Sequence, residues 1–214
     1  MKKNHLFKFA VMALVALFAF AMAPQTADAQ TAKQAEKIRK KAFDEKIKQW
    51  KKEGWQIEGS RTLDLAVLEH MEALKDVNNR EMIGSVTSCK SKNVCQQWAQ
   101  TNAITKYANE AKSHVMGRVA NEVGAGTPLG ELDDFYAGYE RLVSASIGGE
   151  LKLSFAISKK NSDGTMQYDA YYLINEDQAS KSRMKAMENA LKESEAAQKH
   201  AKQISDFVRE GFQQ

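Results

Sequence analysis

The sequence predicts an α+β protein in which a small antiparallel sheet packs on a long alanine-rich helix. Residues 151–157 and 168–174 alternate apolar and polar side chains on either side of a turn, which is typical of a hairpin, here at residues 150–174. Residues 95–122 instead place alanine and other apolar residues at helical spacing, without proline. Amphipathic helices are predicted on the N-terminal and C-terminal sides of this core.

The first 29 residues have the composition of an export signal. Three lysines precede an apolar run over residues 9–23, and the tripeptide Ala-Asp-Ala at 27–29 presents small residues at the positions that a signal peptidase reads. The run is short for a permanent membrane helix, which needs about 20 apolar residues. We expect cleavage before Gln30, no transmembrane span afterwards, and residence in the periplasm or at the outer-membrane periphery of a Gram-negative bacterium.

The processed chain is predicted to contain one main domain with helical extensions. A basic amphipathic helix covers residues 30–54, an α+β core domain covers 55–175, and a charged helix covers 176–214. The net charge falls from +4 to +2 on processing, because the leader contains three lysines and one aspartate. This near-neutral total argues against nucleic-acid binding. Residues 31–53 keep nine cations against four acids, so attraction to an anionic membrane surface or an envelope protein is predicted there.

The N-terminal half of the processed chain is predicted to alternate helices with short strands. The helix over residues 31–53 carries a narrow apolar stripe and ends at Gly54. This stripe consists of Ile38, Ala42, Ile47 and Trp50. A short strand at 55–58 precedes a helix capped by Ser60, and residues 82–87 form a second extended segment.

The C-terminal half begins with the alanine-rich helix, which is predicted to stop at the glycine- and proline-containing segment 124–128. A further helix over 132–147 leads into the hairpin. One apolar face of the hairpin is predicted to contain Leu151, Leu153, Phe155, Ile157, Tyr168, Ala170, Tyr172 and Ile174. Asn175 and Gln178 resemble a capping box, which opens the long terminal helix.

Cys89 and Cys95 are the two cysteines of the chain, and both follow the predicted leader. In an exported protein they can form a persistent disulfide, which we expect to be a structural staple around a small loop. A redox-active pair is the alternative, but that chemistry favours a C-x-x-C spacing, which these residues lack.

Three aromatic residues are candidates for a contact surface. Tyr171 lies on the strand face opposite Tyr168 and Tyr172, where it would either contact a partner or pack in the core or its rim. Trp50 and Trp55 would either accompany the basic helix onto anionic lipid or lipopolysaccharide, or cap the domain core.

No catalytic, cofactor-binding or metal-binding motif is recognised in the sequence. The histidines after the leader lack a second ligand at metal-binding spacing and are interpreted as surface or core-edge residues. They are His70, His114 and His200. Ser182 and Lys185 match the S-x-x-K of penicillin-recognising enzymes, but the accompanying S-D-N and K-T-G motifs are missing from the sequence. We therefore expect no cofactor and favour a role without catalysis.

Two other classes of function stay open at this stage. An envelope-polymer hydrolase would use paired acids such as Glu131 and Asp134, although acids at a helix start are also explained by the helix dipole. A small-ligand carrier would need an apolar cavity beneath the hairpin.

The order of segments carries a family resemblance. It runs from Gly54-Trp55-Gln56-Ile57 through a helix with Leu63-Asp64-Leu65 and Leu68, the alanine-rich helix and a hairpin ending Tyr171-Tyr172-Leu173-Ile174, to a charged terminal helix. This order resembles small exported envelope proteins of Bacteroidetes-type bacteria, distant relatives of the membrane-associated small-lipoprotein family of Gram-negative bacteria. The resemblance implies an α+β envelope protein with a binding or assembly role and carries over no enzymatic residues. This chain lacks the acylated cysteine of the lipoprotein members.

Overall fold

A computed structural model describes residues 29–122 and 132–212 of the chain. The predicted leader up to residue 28 and the predicted helix stop at 124–128 lie outside these residues. The helices are α1 (Ala29–Glu53), α2 (Leu63–Ala73), α3 (Lys92–Glu122), α4 (Asp133–Ile147), α5 (Glu176–Lys192), α6 (Glu195–Gln198) and α7 (Ala201–Glu210). The strands are β1 (Gln56–Ile57), β2 (Asn79–Cys89), β3 (Leu151–Lys160) and β4 (Met166–Asn175). The predicted α+β class is therefore confirmed.

The chain divides into two compact units, and the boundary falls within α1 after Ala42. The described part of the first unit is the N-terminal half of α1, in which Ile38 and Ala42 are exposed. The second unit begins at Phe43 and contains the sheet and all other helices. Within residues 29–122 and 132–212, every helix is too short or too polar to cross a membrane.

The second unit is built on a four-stranded antiparallel sheet with the strand order β1-β3-β4-β2. On one face, α3 lies across β2 and β4, α4 and α7 pack against α3, and α5 packs against α4 and α7. The other face is covered by α2 and by the part of α1 that follows Ala42. Each face has its own apolar core.

The alanine stripe of α3 is buried against the sheet, as predicted. Its members are Ala99, Ala103, Tyr107, Ala108, Ala111, Val115 and Val119. A Cβ atom added to Gly84 of β2 would lie 1.8 Å from the carbonyl oxygen of Ala99, so strand and helix backbones meet at this point. Only glycine fits at a backbone contact this close.

The two strands of the hairpin do not share one apolar face, and the prediction that they do is wrong. Leu153 pairs with Tyr172, but the next pair joins Phe155 to Tyr171, which leaves Ser154 as an extra residue in β3. Because side chains alternate along a strand, one extra residue reverses the faces beyond it. Phe155 and Ile157 therefore join the core under α1 and α2, whereas Leu151, Tyr168, Ala170, Tyr172 and Ile174 join the core under α3.

The apolar stripe of α1 is also shifted from the prediction. Phe43, Ile47 and Trp50 are buried against the sheet, and they replace the predicted series that began at Ile38. On α2, the capping side chain is Thr62 rather than Ser60, and it accepts a hydrogen bond from the Leu65 amide at 3.3 Å.

The predicted single C-terminal helix is divided into α5, α6 and α7. Asn175 caps α5 as predicted, because its side chain accepts a hydrogen bond from the Gln178 amide at 3.2 Å. Ser194 interrupts the series by capping α6 with its hydroxyl, since serine competes with the helix for backbone amides. Gly211 ends α7 with a positive φ of 62° and turns the chain back onto the protein.

Cys89 and Cys95 are joined by a disulfide, as expected. Their Cα atoms are 5.4 Å apart, and both residues are buried. The bond links the end of β2 to the first turn of α3, so it fixes the connection between the two elements that meet at Gly84.

We predict that Gly84→Ala destabilises the protein by about 3 kcal/mol or more, because the new methyl group clashes with the Ala99 carbonyl. Urea unfolding followed by circular dichroism measures the change. Gly117→Ala is the matched control: Gly117 lies on the exposed face of α3 with no atom within 4 Å of the added Cβ. It should stabilise the helix by roughly 1 kcal/mol. Equal stabilities of the two variants would contradict the close contact.

We also predict that the tyrosines resist ionisation in the native state. Burial raises the pKa of all six tyrosines, and that of Tyr172 to about 12. A tyrosine with a raised native pKa holds its proton more tightly in the folded state than in the unfolded state. Its contribution to the free energy of unfolding is therefore complete below the unfolded pKa of about 10 and is lost as the pH rises further. Tyrosinate absorbance should therefore appear only above about pH 11, together with unfolding, but near pH 10 in concentrated urea. Stepwise ionisation near pH 10 without unfolding would show that these side chains are exposed.

Candidate functional site

A cluster of arginine, glutamate and tyrosine side chains lies between α3 and α5. Buried Arg183 donates to Glu176 Oε2 at 2.5 Å and to the Tyr107 hydroxyl. Arg80 of β2 pairs with Glu110 of α3, and its Nη1 atom lies 3.6 Å from Glu176 Oε1. Arg183 can reach Glu176 because two helical turns separate them on one face of α5. The two guanidinium groups thus share one carboxylate.

Phe212 covers this cluster from the C-terminal side. Its ring centre lies 4.2 Å from the Arg80 guanidinium carbon and 5.1 Å from that of Arg183. The positive φ of Gly211 directs the ring there, and a Cβ on Gly211 would lie 2.6 Å from Arg183 Nη2. The arginines therefore hold the C-terminal segment by cation–π contacts.

An open groove of about 690 Å³ runs beside Phe212 along α3. Its lining includes Arg80, Lys106, Glu110 and His114. Burial lowers the pKa of His114, and the positive charges of Arg118 and Arg183 lower it further. The groove does not lie beneath the hairpin, where a small-ligand carrier would need an apolar cavity. Arg80 in its lining already pairs with the carboxylates of Glu110 and Glu176.

A second polar group lies in the core beneath α1 and α2. His70 is fully buried, and its Nε2 atom lies 2.7 Å from Glu81 Oε2 on β2. Its ring meets the rings of Phe155 and Tyr171 edge-on, with centroids 5.3 and 6.1 Å away. His70 is therefore a core residue, and its interpretation as a surface or core-edge histidine is wrong.

The contact-surface hypothesis fails for Tyr171 and Trp50, which are 2% and 6% exposed. Tyr171 stacks on Phe155 with ring centroids 4.4 Å apart, and Trp50 meets both rings edge-on. The reason is that α1 and α2 cover this face of the sheet. Trp55 is half-buried at the edge of the same core and donates from Nε1 to Glu53 at 3.2 Å.

Two groups of opposite charge are partly buried near this aromatic cluster. The Lys46 ammonium group lies 4.9 Å from the Trp50 ring centre and 5.1 Å from that of Tyr171. Burial lowers the pKa of Lys46, while Glu81 and Asp169 oppose this shift. Burial raises the pKa of Asp169, against a hydrogen bond with Ser85 and the charge of Lys46. These groups partly compensate one another inside the protein.

The part of α1 after Ala42 and α2 form a helical layer over this face of the sheet, and the outer surface of that layer combines exposed lysines with exposed leucines. Lys48 and Lys52 of α1 are exposed. On α2, Leu65 and Leu68 are 45% and 58% exposed. The outer side of α2 also carries the exposed acids Asp64, Glu69 and Glu72, so the two leucines lie within a charged face. Apolar residues at three-residue spacing among these acids are the signal that could have identified the exposed leucine pair.

The residues that the sequence analysis considered for catalysis do not form a site among the described residues. Asp134 is exposed in the first turn of α4, and Glu131 lies outside the described residues. Ser182 is half-buried and Lys185 is exposed, while Arg183 between them enters the core. Among residues 29–122 and 132–212, no group of His, Cys, Asp or Glu side chains is arranged to hold a metal ion.

Comparison with known proteins provides no relative from which a function can be carried over. No family model matches the chain, and neither a curated protein nor a solved structure matches it.

Proposed function

We propose that this protein is a non-catalytic cell-envelope protein that is exported, processed, and bound to an anionic membrane surface through residues 31–53. The supporting observation is the charge of that segment, which contains nine cations and four acids. Lys37, Lys40, Lys48 and Lys52 are exposed on α1. Exposed lysines near anionic headgroups contribute about 1 kcal/mol each to surface binding.

The proposed compartment agrees with the chemistry of the chain. Residues 1–29 have the pattern of a cleavable leader, and the Cys89–Cys95 disulfide is of a kind that persists outside the cytoplasm. No cysteine lies near the predicted cleavage site to accept a lipid. Attachment to a membrane surface would therefore depend on side chains rather than on an acyl chain.

The internal polar groups favour a binding role over a chemical one. Arg183, Glu176 and Tyr107 bind one another, and His70 binds Glu81. These contacts hold α5 and the C-terminal segment to α3, and α2 to the sheet. Groups that bind each other inside the fold support its stability, whereas Lys37, Lys40, Lys48 and Lys52 are exposed on the surface of α1.

The test is cosedimentation of the chain from Gln30 onwards with vesicles that contain anionic lipid. We expect binding at low ionic strength that weakens as salt rises, because salt screens exposed charges. Replacing Lys37, Lys40 and Lys52 with Gln should weaken binding roughly 10- to 100-fold.

The control is a triple variant with the same charge change on the C-terminal helices. Lys181, Lys185 and Lys199 are exposed there and are also replaced with Gln. This variant should bind like the unmodified protein. Equal weakening in both triple variants would show that net charge, and not the α1 segment, determines binding.

A further inference from the structure

We propose that Leu65 and Leu68 insert into the anionic membrane surface while the lysines of α1 contact its headgroups. This inference rests on the proposed function and names the part of the protein that enters the lipid. It concerns only the second unit, in which α2 and the C-terminal half of α1 form the layer outside the sheet.

The apolar character of α2 exceeds what its packing uses. Leu63, Ala66 and Val67 face the sheet and fill the inner side of the helix. Leu65 and Leu68 lie three residues apart on the outer side, where they form one patch. Their exposed apolar surface is not used by the packing of the helix against the sheet.

The acidic residues of α2 do not give this patch a net negative charge. Each of them pairs with a cation, in the ion pairs Lys51–Asp64, Arg61–Glu69 and Lys75–Glu72. Asp64 and Glu69 flank the leucines along the chain, so the patch is bordered by neutralised pairs. An anionic surface is therefore not repelled at the leucines.

The Lys51–Asp64 ion pair, with an Nζ–Oδ2 distance of 2.8 Å, also connects α1 to α2. Lys48 and Lys52 lie on the side of α1 that faces away from the buried Ile47 and Trp50. Both helices thus direct their outer faces away from the sheet, and the lysines and leucines share one surface. Leucines that enter the acyl boundary beside lysines at the headgroups form an interfacial membrane site.

A membrane surface fits this patch better than a second copy of the chain. Two partly exposed leucines provide far less area than the ~800 Å² per partner that a stable protein interface buries. A bilayer needs only a few inserted side chains together with charge attraction. The lysines favour anionic lipid and would repel their own counterparts across a two-fold interface.

The experiment compares the unmodified chain from Gln30 onwards with the variant Leu65→Ser/Leu68→Ser, using vesicles of neutral and anionic phospholipid. The variant should bind anionic vesicles roughly tenfold more weakly, and the loss should persist at high salt, because it removes an apolar contribution. The control is Trp98→Ser/Met116→Ser, which removes two exposed apolar residues from α3 on the other side of the sheet. It should bind like the unmodified protein.

A second measurement does not depend on the folding of any variant. With vesicles that carry nitroxide-labelled acyl chains, the methyl NMR signals of Leu65 and Leu68 in the unmodified protein should broaden, and that of Met116 should not.

The outcomes separate this inference from the proposed function. If the unmodified protein binds no anionic vesicle at any ionic strength, the proposed function is wrong and the inference falls with it. If it binds but salt abolishes binding completely, and the leucine variant matches it, only leucine insertion is refuted. A lipid-free dimer that the leucine variant converts to a monomer would assign the patch to a second copy and overturn the inference.

Discussion

The backbone contact between β2 and α3 is the constraint on which the rest of the structure depends. Gly84 lets the Ala99 carbonyl approach the strand more closely than any side chain would permit. The alanines that follow at helical spacing keep the helix close to the sheet beyond this point. The disulfide between Cys89 and Cys95 fixes the chain between the same two elements. Because α4 and α7 pack on α3, and α5 packs on α4 and α7, their positions follow from this contact.

The extra residue in β3 directs apolar side chains to the second face of the sheet. Without Ser154, Phe155 and Ile157 would face α3, and the opposite side of the sheet would lose two of its buried apolar residues. With it, Phe155 and Ile157 face the opposite side beside Tyr171, which creates an apolar surface for α1 and α2 to cover. Arg61 donates to the Ser154 carbonyl at 2.6 Å, so the irregular backbone also links to the segment before α2. One residue thus enlarges the apolar surface that the second helical layer covers.

The parts of this fold that are predictable from sequence are those that depend on nearby residues. Helical spacing identifies the alanine stripe, Asn175 and Gln178 identify a cap, and the spacing of Cys89 and Cys95 permits a disulfide. The bulge at Ser154 was missed because strict alternation contains no sign of an unpaired residue. His70 and Arg183 were missed for another reason: their partners Glu81 and Tyr107 come from other elements, and only the tertiary structure brings these groups together.

The same distinction applies to the candidate surface. Counting charges locates the basic segment, because charge is a property of composition. The leucine pair depends on which side of α2 faces the sheet, and leucines on both sides of the helix leave that choice to the tertiary structure. The aromatic candidates show the opposite error, since Tyr171 and Trp50 suggest recognition in isolation but are buried against each other.

The helical layer of α1 and α2 is attached to the sheet mainly by apolar contacts and not by its ion pairs. Its ion pairs with solvent access, such as Lys51–Asp64, contribute little to stability, because exposed pairs lose most of their attraction to solvent screening. Lys46 on its inner side and Asp169 of β4 are both partly buried, which disfavours their charged forms. The aromatic contacts of Trp50 with Phe155 and Tyr171, together with buried Phe43, Ile47, Leu63 and Val67, therefore attach this layer to the sheet. A ligand that binds the outer face of the native layer stabilises the second unit when the layer unfolds together with the sheet, and these apolar contacts are what couple the two.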